Sequence, residues 1–341
     1  MQHEEFLTKY ASNLNENQLR AVRAVNGPVL LLAVPGSGKT TVLVTRLGYM
    51  LYVEGIDPSN ILTVTYTVAA TRDMERRFEG LFGEEFSGKL EFRTINGICA
   101  KVISSYGRMI GRDPYELVTD EKEMGRIFLN ILTRHLREYP TESDVREART
   151  MITYCKNMML DDDGIKALEE DSMMPVLDVY KEYNSYLASN KLMDYDDQMT
   201  YAYRLLKSSP ELLASYRDKY RYVCVDEAQD TSRIQHAIIT LLSGSAGNLF
   251  MVGDEDQSIY GFRAACPEAL LEFEKGHPGA QVLVMDENYR SNANIVTAAD
   301  VFIQRNEARH AKHMVAVRTA DSHINYVEVS GRAHQYSYLF R

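Results

Sequence analysis

The sequence predicts an α/β fold in which the strand–helix alternation is interrupted by a helical insertion. Short apolar runs typical of buried parallel strands alternate with helical patterns up to about residue 100, and again after about residue 205. Between residues 107 and 200 the strand signal is lost and several helices are predicted instead. A pattern that stops and then resumes indicates one sheet into which a helical segment is inserted.

The composition of the 341-residue chain is that of a globular protein with two or three domains. Hydrophobic residues make up 45% and charged residues 25%, which excludes wholesale disorder. The longest apolar run, residues 29–34, is too short to span a bilayer, and acidic residues near the N-terminus argue against a signal peptide. We therefore expect a cytoplasmic protein with no membrane partner. The cysteines are too far apart in sequence for a zinc or iron–sulfur site, which predicts free thiols at Cys99, Cys155, Cys224 and Cys266.

The net charge of −10 is unevenly distributed along the chain. Residues 113–190 contain 17 acids and 9 bases, so most of the negative charge lies in the helical insertion. The remainder of the chain is close to neutral, and its surface can present Lys and Arg to phosphates. The acidic balance therefore does not exclude a nucleic-acid partner.

Five apolar runs predict strands, at residues 29–34, 61–66, 222–225, 249–252 and 281–284. The stretch at 42–51 predicts a helix directly after the first strand. In the insertion, the spacing of apolar residues predicts helices over 124–136 and 173–187, with Pro175 in a first turn. The acidic run at 161–164 lacks the other ligand positions of a calcium loop, so we expect a solvated turn there.

A glycine-rich loop separates the first predicted strand from its helix. Residues 33–40 read A-V-P-G-S-G-K-T, a P-loop pattern in which Ala33 replaces the first glycine. The glycines let the backbone N–H groups surround phosphates, Lys39 reaches the β- and γ-phosphates, and the hydroxyl of Thr40 binds Mg²⁺. The predicted nucleotide-binding residues are Gly36, Ser37, Gly38, Lys39, Thr40 and Thr41.

The acidic element that a P-loop requires follows the strand predicted at 222–225. Asp226 comes at the carboxyl end of this strand, where parallel sheets bind ligands, and would hold Mg²⁺ directly or through water. Glu227 is placed to orient and deprotonate the attacking water. With the P-loop, this pair predicts hydrolysis of a nucleoside triphosphate.

The motifs of the chain, in their order, resemble those of the superfamily 1A DNA helicases, the UvrD/Rep/PcrA group. Residues 14–18, L-N-E-N-Q, are similar to the Q motif of that family, and residues 193–197, M-D-Y-D-D, to its DFDD element. Residues 225–231 match its DExQD motif, residues 253–263 its GDxxQSIY-F-R motif, and residues 288–291 its NYRS motif. The resemblance covers nearly the whole chain.

The resemblance implies ATP and Mg²⁺ as cofactors, and it adds residues to the nucleotide site. Gln18 would contact adenine, Tyr289 would stack on it, Gln257 would sense the γ-phosphate and Arg290 would serve as an arginine finger. Lys39, Glu227, Gln257 and Arg290 are then the predicted catalytic residues.

The implied partners are single-stranded and duplex DNA, and no protein partner is predicted. The predicted DNA-binding residues are Tyr66, Thr67, Asn96, Tyr260, Phe262 and Arg263. The aromatic members have core packing as their alternative role. Residues 65–70 match the TFTNKAA motif only in part, and Asn96 stands where the family usually has His. The arginines at 72, 76 and 77 are interleaved with acids, which favours ordinary pairing on a helix.

In domain terms the resemblance implies a RecA-like domain, residues 1–106 and 201–280, interrupted by an acidic insertion at 107–200. We expect residues 281–341 to begin a second RecA-like domain, with strands at 281–284 and 324–329. The later motifs of the family are not found after Arg290, so we expect the chain to be an N-terminal portion of a helicase that hydrolyses ATP slowly and does not unwind DNA alone.

The predicted function is Mg-ATP hydrolysis that drives translocation on single-stranded DNA and 3′–5′ unwinding. The alternatives are the motor part of a recombination helicase–nuclease and a nucleotide-gated DNA-binding module that does not unwind.

Overall fold

The computed structural model describes residues 1–170, 172, 174–261, 264–320 and 323–340. These fall into a large unit, Met1–Ala33 with Gly38–Met285, and a small unit, Val34–Ser37 with Asp286–Arg341. The strands in the described residues are β1 (Val29–Ala33), β2 (Ile61–Thr65), β3 (Glu91–Thr94), β4 (Glu116–Leu117), β5 (Leu192–Met193), β6 (Tyr222–Val225), β7 (Asn248–Gly253), β8 (Gln281–Met285), β9 (Glu287–Asn288) and β10 (Val315–Ala316).

The helices of the same residues lie before, between and after these strands. They are α1 (His3–Tyr10), α2 (Glu16–Arg23), α3 (Lys39–Tyr52), α4 (Val68–Phe82), α5 (Ile95–Ile110), α6 (Glu121–His135), α7 (Glu142–Asn157), α8 (Asp162–Glu170), α9 (Val176–Ser189), α10 (Tyr195–Ser208), α11 (Pro210–Lys219), α12 (Arg233–Ser243), α13 (Glu268–Leu271), α14 (Phe273–Gly276), α15 (Ala293–Ile303) and α16 (Arg332–Leu339). Not one of these described helices combines the length and the apolar character that a membrane span needs.

The large unit is built on a six-stranded sheet in the order β3-β2-β6-β7-β1-β8. Every pairing in it is parallel. Leu31 of β1 lies opposite Val252 of β7 on one side and Leu283 of β8 on the other. The carboxyl ends of all six strands therefore lie at one edge, and the segments that follow β1, β2, β6 and β7 come together there.

Both faces of the sheet are buried, which makes the fold three-layered. Leu30 and Val225 lie in one apolar core with residues of α5, α10, α11 and α12. Leu31 and Phe250 lie in a second core with residues of α1, α2, α3 and α4. Strands buried on both faces have continuous apolar sequences, which is why the sequence revealed them. The α/β fold with a parallel sheet is confirmed.

The helical insertion has an apolar core of its own. Ile131 of α6, Ile152 of α7 and Val179 of α9 are among its buried members. The predicted limits of the insertion, 107 and 200, both fall inside helices, α5 and α10. Met199 of α10 packs in the core beneath the sheet, so α10 belongs to the α/β layers rather than to the insertion.

Some predicted elements differ from the structure. The strand at 281–284 was expected to begin a second sheet, but β8 pairs along its whole length with β1 of the first. Residues 324–329 form no strand. The acidic run at 161–164 is not a solvated turn: α8 begins at Asp162, and Oδ1 of Asp161 accepts a hydrogen bond from the N–H of Gly164 at 2.9 Å. Strand β3, with mixed polarity, escaped prediction.

The helix predicted over 173–187 is α9, which starts after Pro175, while Met173 lies outside the described residues. The helices predicted at 42–51 and 124–136 correspond to α3 and α6. Oδ2 of Asp73 accepts from Nε of Arg77 at 2.6 Å, and Oδ1 of Asp73 lies 3.5 Å from Arg76, so the helix pairing predicted for these two arginines is confirmed.

The small unit has a two-stranded parallel sheet of β9 and β10 with α15 packed against β10. Asp300 of α15 accepts a hydrogen bond from the N–H of Met314 at 2.9 Å, which fixes the segment that leads into β10.

Candidate nucleotide site and nucleic-acid cavity

The predicted phosphate-binding residues of the large unit lie where the chain enters α3. Gly38 precedes the helix with φ +86°, a left-handed conformation that costs glycine little. A Cβ atom on Gly38 would lie 3.2 Å from Nε2 of Gln18, so a side chain there would be both strained and crowded. The first turn of α3 contains Lys39, Thr40 and Thr41 and has no acid, which leaves the positive end of the helix dipole available for an anion.

Gln18 is held beside Gly38 by its own helix terminus. The N–H of Asn15 donates to Oε1 of Gln18 at 2.9 Å, and the N–H of Gln18 donates to Oδ1 of Asn15 at 2.8 Å. This reciprocal capping box fixes the side chain at the start of α2. At the other end of α2, the buried guanidinium of Arg46 donates to the carbonyls of Ala21 and Val25. Both ends of α2 are thus anchored, and Gln18 is brought to the P-loop.

The acidic pair follows β6 at the same edge of the sheet. Asp226 is 6% exposed, and burial raises its pKa to about 6, helped by the charge of Glu227 and opposed by that of Lys39. Glu227 has φ +50°, a left-handed conformation that is unusual for a residue with a long side chain. Such strain is typical of functional positions, because the surrounding structure must maintain it at a cost of roughly 1–3 kcal/mol.

Lys39, Glu227 and Gln257 come together although they are far apart in sequence. Nζ of Lys39 lies 3.2 Å from Oε2 of Glu227 and 3.5 Å from Oε1 of Gln257. Nε2 of Gln257 donates to Oδ2 of Asp254 at 2.7 Å. The large unit therefore assembles the predicted cation, base and γ-phosphate sensor within one hydrogen-bonded group.

The small unit joins the rest of the P-loop to the NYRS segment. Nδ2 of Asn288 donates to the carbonyl of Pro35 at 2.6 Å, and the N–H of Tyr289 donates to that of Gly36 at 3.1 Å. Oδ1 of Asn288 accepts from the N–H of Arg290 at 2.9 Å. Tyr289 donates its hydroxyl to Oε2 of Glu287 at 2.6 Å. Asn288 thus links the backbone of Arg290, a predicted catalytic residue, to the carbonyl of Pro35.

The residues of the large unit fit a magnesium-bound nucleotide. Within the described residues, no group of three or more His, Cys, Asp and Glu side chains could hold a metal ion alone. Magnesium typically takes one or two carboxylates and completes its shell with water and substrate phosphates. A single buried carboxylate, Asp226, with the hydroxyl of Thr40 suits that mode of binding.

A second feature lies next to β2 and β3, a cavity of about 350 Å³. It is lined by Thr65, Tyr66, Val68, Thr94, Ile95, Asn96, Tyr195 and Gln235. Oδ1 of Asn96 is buried and accepts no hydrogen bond from the described residues. Tyr195 is 49% exposed at the first turn of α10, so its ring is available to a ligand.

The structure places two of the predicted DNA-binding residues in the wall of this cavity and two others outside it. Tyr66 and Asn96 line the cavity. Thr67 is not among the residues that line the cavity. Its hydroxyl caps α4 instead, by accepting a hydrogen bond from the N–H of Ala70 at 3.1 Å. Tyr260 lies outside the cavity, and the two predictions at Phe262 and Arg263 fall outside the described residues.

Sequence reasoning missed Tyr195 and Gln235 as cavity residues. Tyr195 belongs to the M-D-Y-D-D segment, and an exposed aromatic residue directly after a capping Asp was a signal for it. Gln235 gave no such signal, because it lies in the first turn of an ordinary amphipathic helix, α12.

The parallel sheet, with a glycine-rich loop after β1 and an acidic pair after β6, two strands away, defines an α/β domain of the P-loop class. Residues 14–278 match the family of the UvrD/REP helicase N-terminal domain, and the chain belongs to that family. The predicted resemblance is confirmed.

Individual relatives agree with this assignment. The chain is 32% identical over 333 residues to the ATP-dependent DNA helicase PcrA of Staphylococcus epidermidis RP62A, which covers 96% of the chain and 45% of that protein. It is 31% identical over 335 residues to the ATP-dependent DNA helicase PcrA of Staphylococcus aureus Mu50, covering 97% of the chain and 45% of the relative. The chain spans about half the length of the curated relatives it matches.

Proposed function

We propose that this chain forms the N-terminal part of a DNA helicase motor in which Mg-ATP hydrolysis drives translocation on single-stranded DNA and unwinding in the 3′–5′ direction. The observation that carries the proposal is the contact between Lys39 and Glu227, 3.2 Å, beside the amino end of α3. A phosphate-binding cation and a carboxylate base at one sheet edge are what nucleotide hydrolysis requires. Family membership and the names of the relatives supply DNA as the second ligand.

In the proposed mechanism, the N–H groups of α3 and the amine of Lys39 bind the phosphates. Thr40 and Asp226 would hold Mg²⁺, which would supply positive charge to neutralise the phosphates. Glu227 accepts a proton from the attacking water, and Gln257 contacts the γ-phosphate. The adenine is contacted by Gln18 and stacked by Tyr289, and Arg290 acts as the arginine finger; these last roles follow the family resemblance.

In the proposed DNA site, Tyr66 and Tyr195 stack on bases in the cavity beside β2 and β3. Each stack contributes about 1–3 kcal/mol in comparable proteins. Asn96 lines the same cavity and is the proposed polar contact to the bound strand. Thr67, Tyr260, Phe262 and Arg263 remain DNA-binding residues on the resemblance alone.

The test, carried out on the complete protein, measures ATP hydrolysis with and without single-stranded DNA, and displacement of a strand from duplexes with a 3′ or a 5′ tail. The proposal predicts DNA-stimulated hydrolysis and displacement only from the 3′-tailed duplex. Slow hydrolysis with nucleotide-dependent DNA binding and no displacement would instead indicate the gated binding module. Loss of hydrolysis on removal of Mg²⁺ with a chelator is expected in either case.

A further inference from the structure

Gln229 occupies a position between two parts of the candidate nucleotide site. It is 3% exposed, and its side-chain amide donates one hydrogen bond and accepts another. Nε2 donates to Oε2 of Glu227 at 2.7 Å, and Oε1 accepts from the N–H of Asp254 at 3.1 Å. Its carbonyl accepts from Oγ of Ser258 at 3.0 Å. One buried residue therefore connects the end of β6 to the segment after β7.

The approach of Gln229 to β7 leaves no room for another side chain. A Cβ atom on Gly253 would lie 2.7 Å from Oε1 of Gln229 and 3.1 Å from its backbone nitrogen. Packing this close holds the amide in one orientation. Its donor faces Glu227 and its acceptor faces Asp254, so Gln229 satisfies both neighbours at once.

These contacts close into a ring. Gln229 bonds to Asp254, Oδ2 of Asp254 accepts from Gln257 at 2.7 Å, and Oε1 of Gln257 lies 3.5 Å from Lys39. Lys39 returns to Glu227 at 3.2 Å. A phosphate that binds Lys39 competes with Glu227 and Gln257 for the same amine. Among the described residues, the hydrogen bond from Gln229 is then the remaining contact that orients the carboxylate of Glu227.

We propose that Gln229 is a positioning residue. It holds the carboxylate of Glu227 in the orientation for water activation and fixes the position of that carboxylate relative to Gln257. The inference rests on the proposed function, since it takes Glu227 as the base. It assigns Gln229 no direct contact with nucleotide. Loss of Gln229 should therefore lower the turnover number while nucleotide affinity stays the same.

The experiment compares Gln229→Met, Gln229→Glu and Gln198→Met in the same chain. Methionine preserves the volume of glutamine but removes both polar contacts. Glutamate preserves the acceptor for Asp254 but sets a second carboxylate against Glu227. Gln198 of α10 is also buried, 5% exposed, and lies outside the ring, so Gln198→Met controls for replacing a buried glutamine.

We expect Gln229→Met and Gln229→Glu to lower kcat for ATP by about tenfold or more, a fraction of the 10²–10⁴-fold that a general base contributes. KM and the Kd for a fluorescent ATP analogue should stay within about twofold of wild type, and Gln198→Met should leave kcat unchanged. A residue with only a packing role would tolerate methionine. If Gln229→Met does not fold, the proposal is judged on Gln229→Glu, which should show the same loss of kcat with unchanged KM and Kd.

Failure of the inference and failure of the proposed function give different results. If Glu227→Gln loses hydrolysis while both Gln229 variants keep wild-type kcat, the positioning role is wrong and the proposed function stands. If Glu227→Gln hydrolyses ATP at the wild-type rate, the base has been misassigned, and the proposal for Gln229 is overturned with it.

Discussion

The amine of Lys39 lies 3.2 Å from the carboxylate of Glu227, and the backbone of Glu227 is left-handed at that contact. The side chain of Glu227 is 40% exposed, so this ion pair adds only about 0–1 kcal/mol to stability. The backbone conformation costs roughly 1–3 kcal/mol. The ion pair therefore does not account for the strain, whereas a role for Glu227 in the proposed reaction does.

Lys39→Ala should weaken ATP binding by at least about tenfold, because a charge-assisted hydrogen bond is worth about 1.5–3 kcal/mol. The thermal unfolding midpoint should change little, since the Lys39–Glu227 pair is partly exposed. Titration of a fluorescent ATP analogue measures the effect. Lys207→Ala, on the outer surface of α10, serves as the control, and equal affinity in the two variants would refute the assignment of Lys39.

Glu227→Gln should leave nucleotide affinity nearly intact and lower hydrolysis by about 10²–10⁴-fold, the usual contribution of a general base. Glutamine can still accept a hydrogen bond from Lys39, so the local packing is retained. Steady-state phosphate release, measured alongside analogue binding, separates the two effects. Wild-type turnover in this variant would place the base elsewhere.

Tyr66→Ala and Tyr195→Ala should each weaken binding of single-stranded DNA by about 1–3 kcal/mol, because each removes one proposed base stack. The dependence of affinity on salt should not change, since neither residue carries charge. Tyr139→Ala is the matched control, since Tyr139 is 74% exposed and lies outside the cavity. If both folded cavity variants bind single-stranded DNA with wild-type affinity, Tyr66 and Tyr195 have a structural role and do not stack on bases.

Lys156→Met should destabilise the protein by about 3–5 kcal/mol, because it leaves the buried carboxylates of Asp194 and Asp197 without their cation. Nζ of Lys156 donates to Asp194 at 2.9 Å and to Asp197 at 2.7 Å. Burial lowers the pKa of Lys156, but these two charges outweigh it and raise the pKa overall. Lys166→Met is the control, since Lys166 only approaches Asp163 at 3.8 Å on the surface. Urea unfolding should separate the two variants clearly; similar midpoints would contradict the prediction.

Glu91 should make stability depend on pH in the acid range. Burial raises the pKa of Glu91, but hydrogen bonds from Lys101, Tyr220 and Arg93 outweigh burial and lower its pKa to about 2. Since the folded pKa lies below the ordinary value of 4.5, its stabilisation is complete above pH 4.5 and is lost as the pH falls towards 2. Glu91→Gln should thus be less stable than wild type at pH 7, and the difference should shrink by pH 3. A difference independent of pH would show that Glu91 is not the titrating group.

Local sequence was sufficient for the strands and for the phosphate-binding loop. The strands of the sheet interior are short runs of apolar and β-branched residues, and Gly38, Lys39 and Thr40 are adjacent in sequence. Both features can therefore be recognised from neighbouring residues alone. The same holds for Asp226 and Glu227 after β6. Strand β3 was missed because its mixed polarity lacks such a run.

The sequence by itself determined the α/β class, the P-loop and the acidic pair. Only the tertiary structure decided that β8 joins β1, that Gln229 connects Glu227 to Asp254, and that Tyr195 reaches the cavity of Tyr66. These are choices of partner between segments far apart in the chain. Each pairing depends on which strand edges and helix faces are still exposed after the other segments have packed. A local pattern of residues does not contain this information.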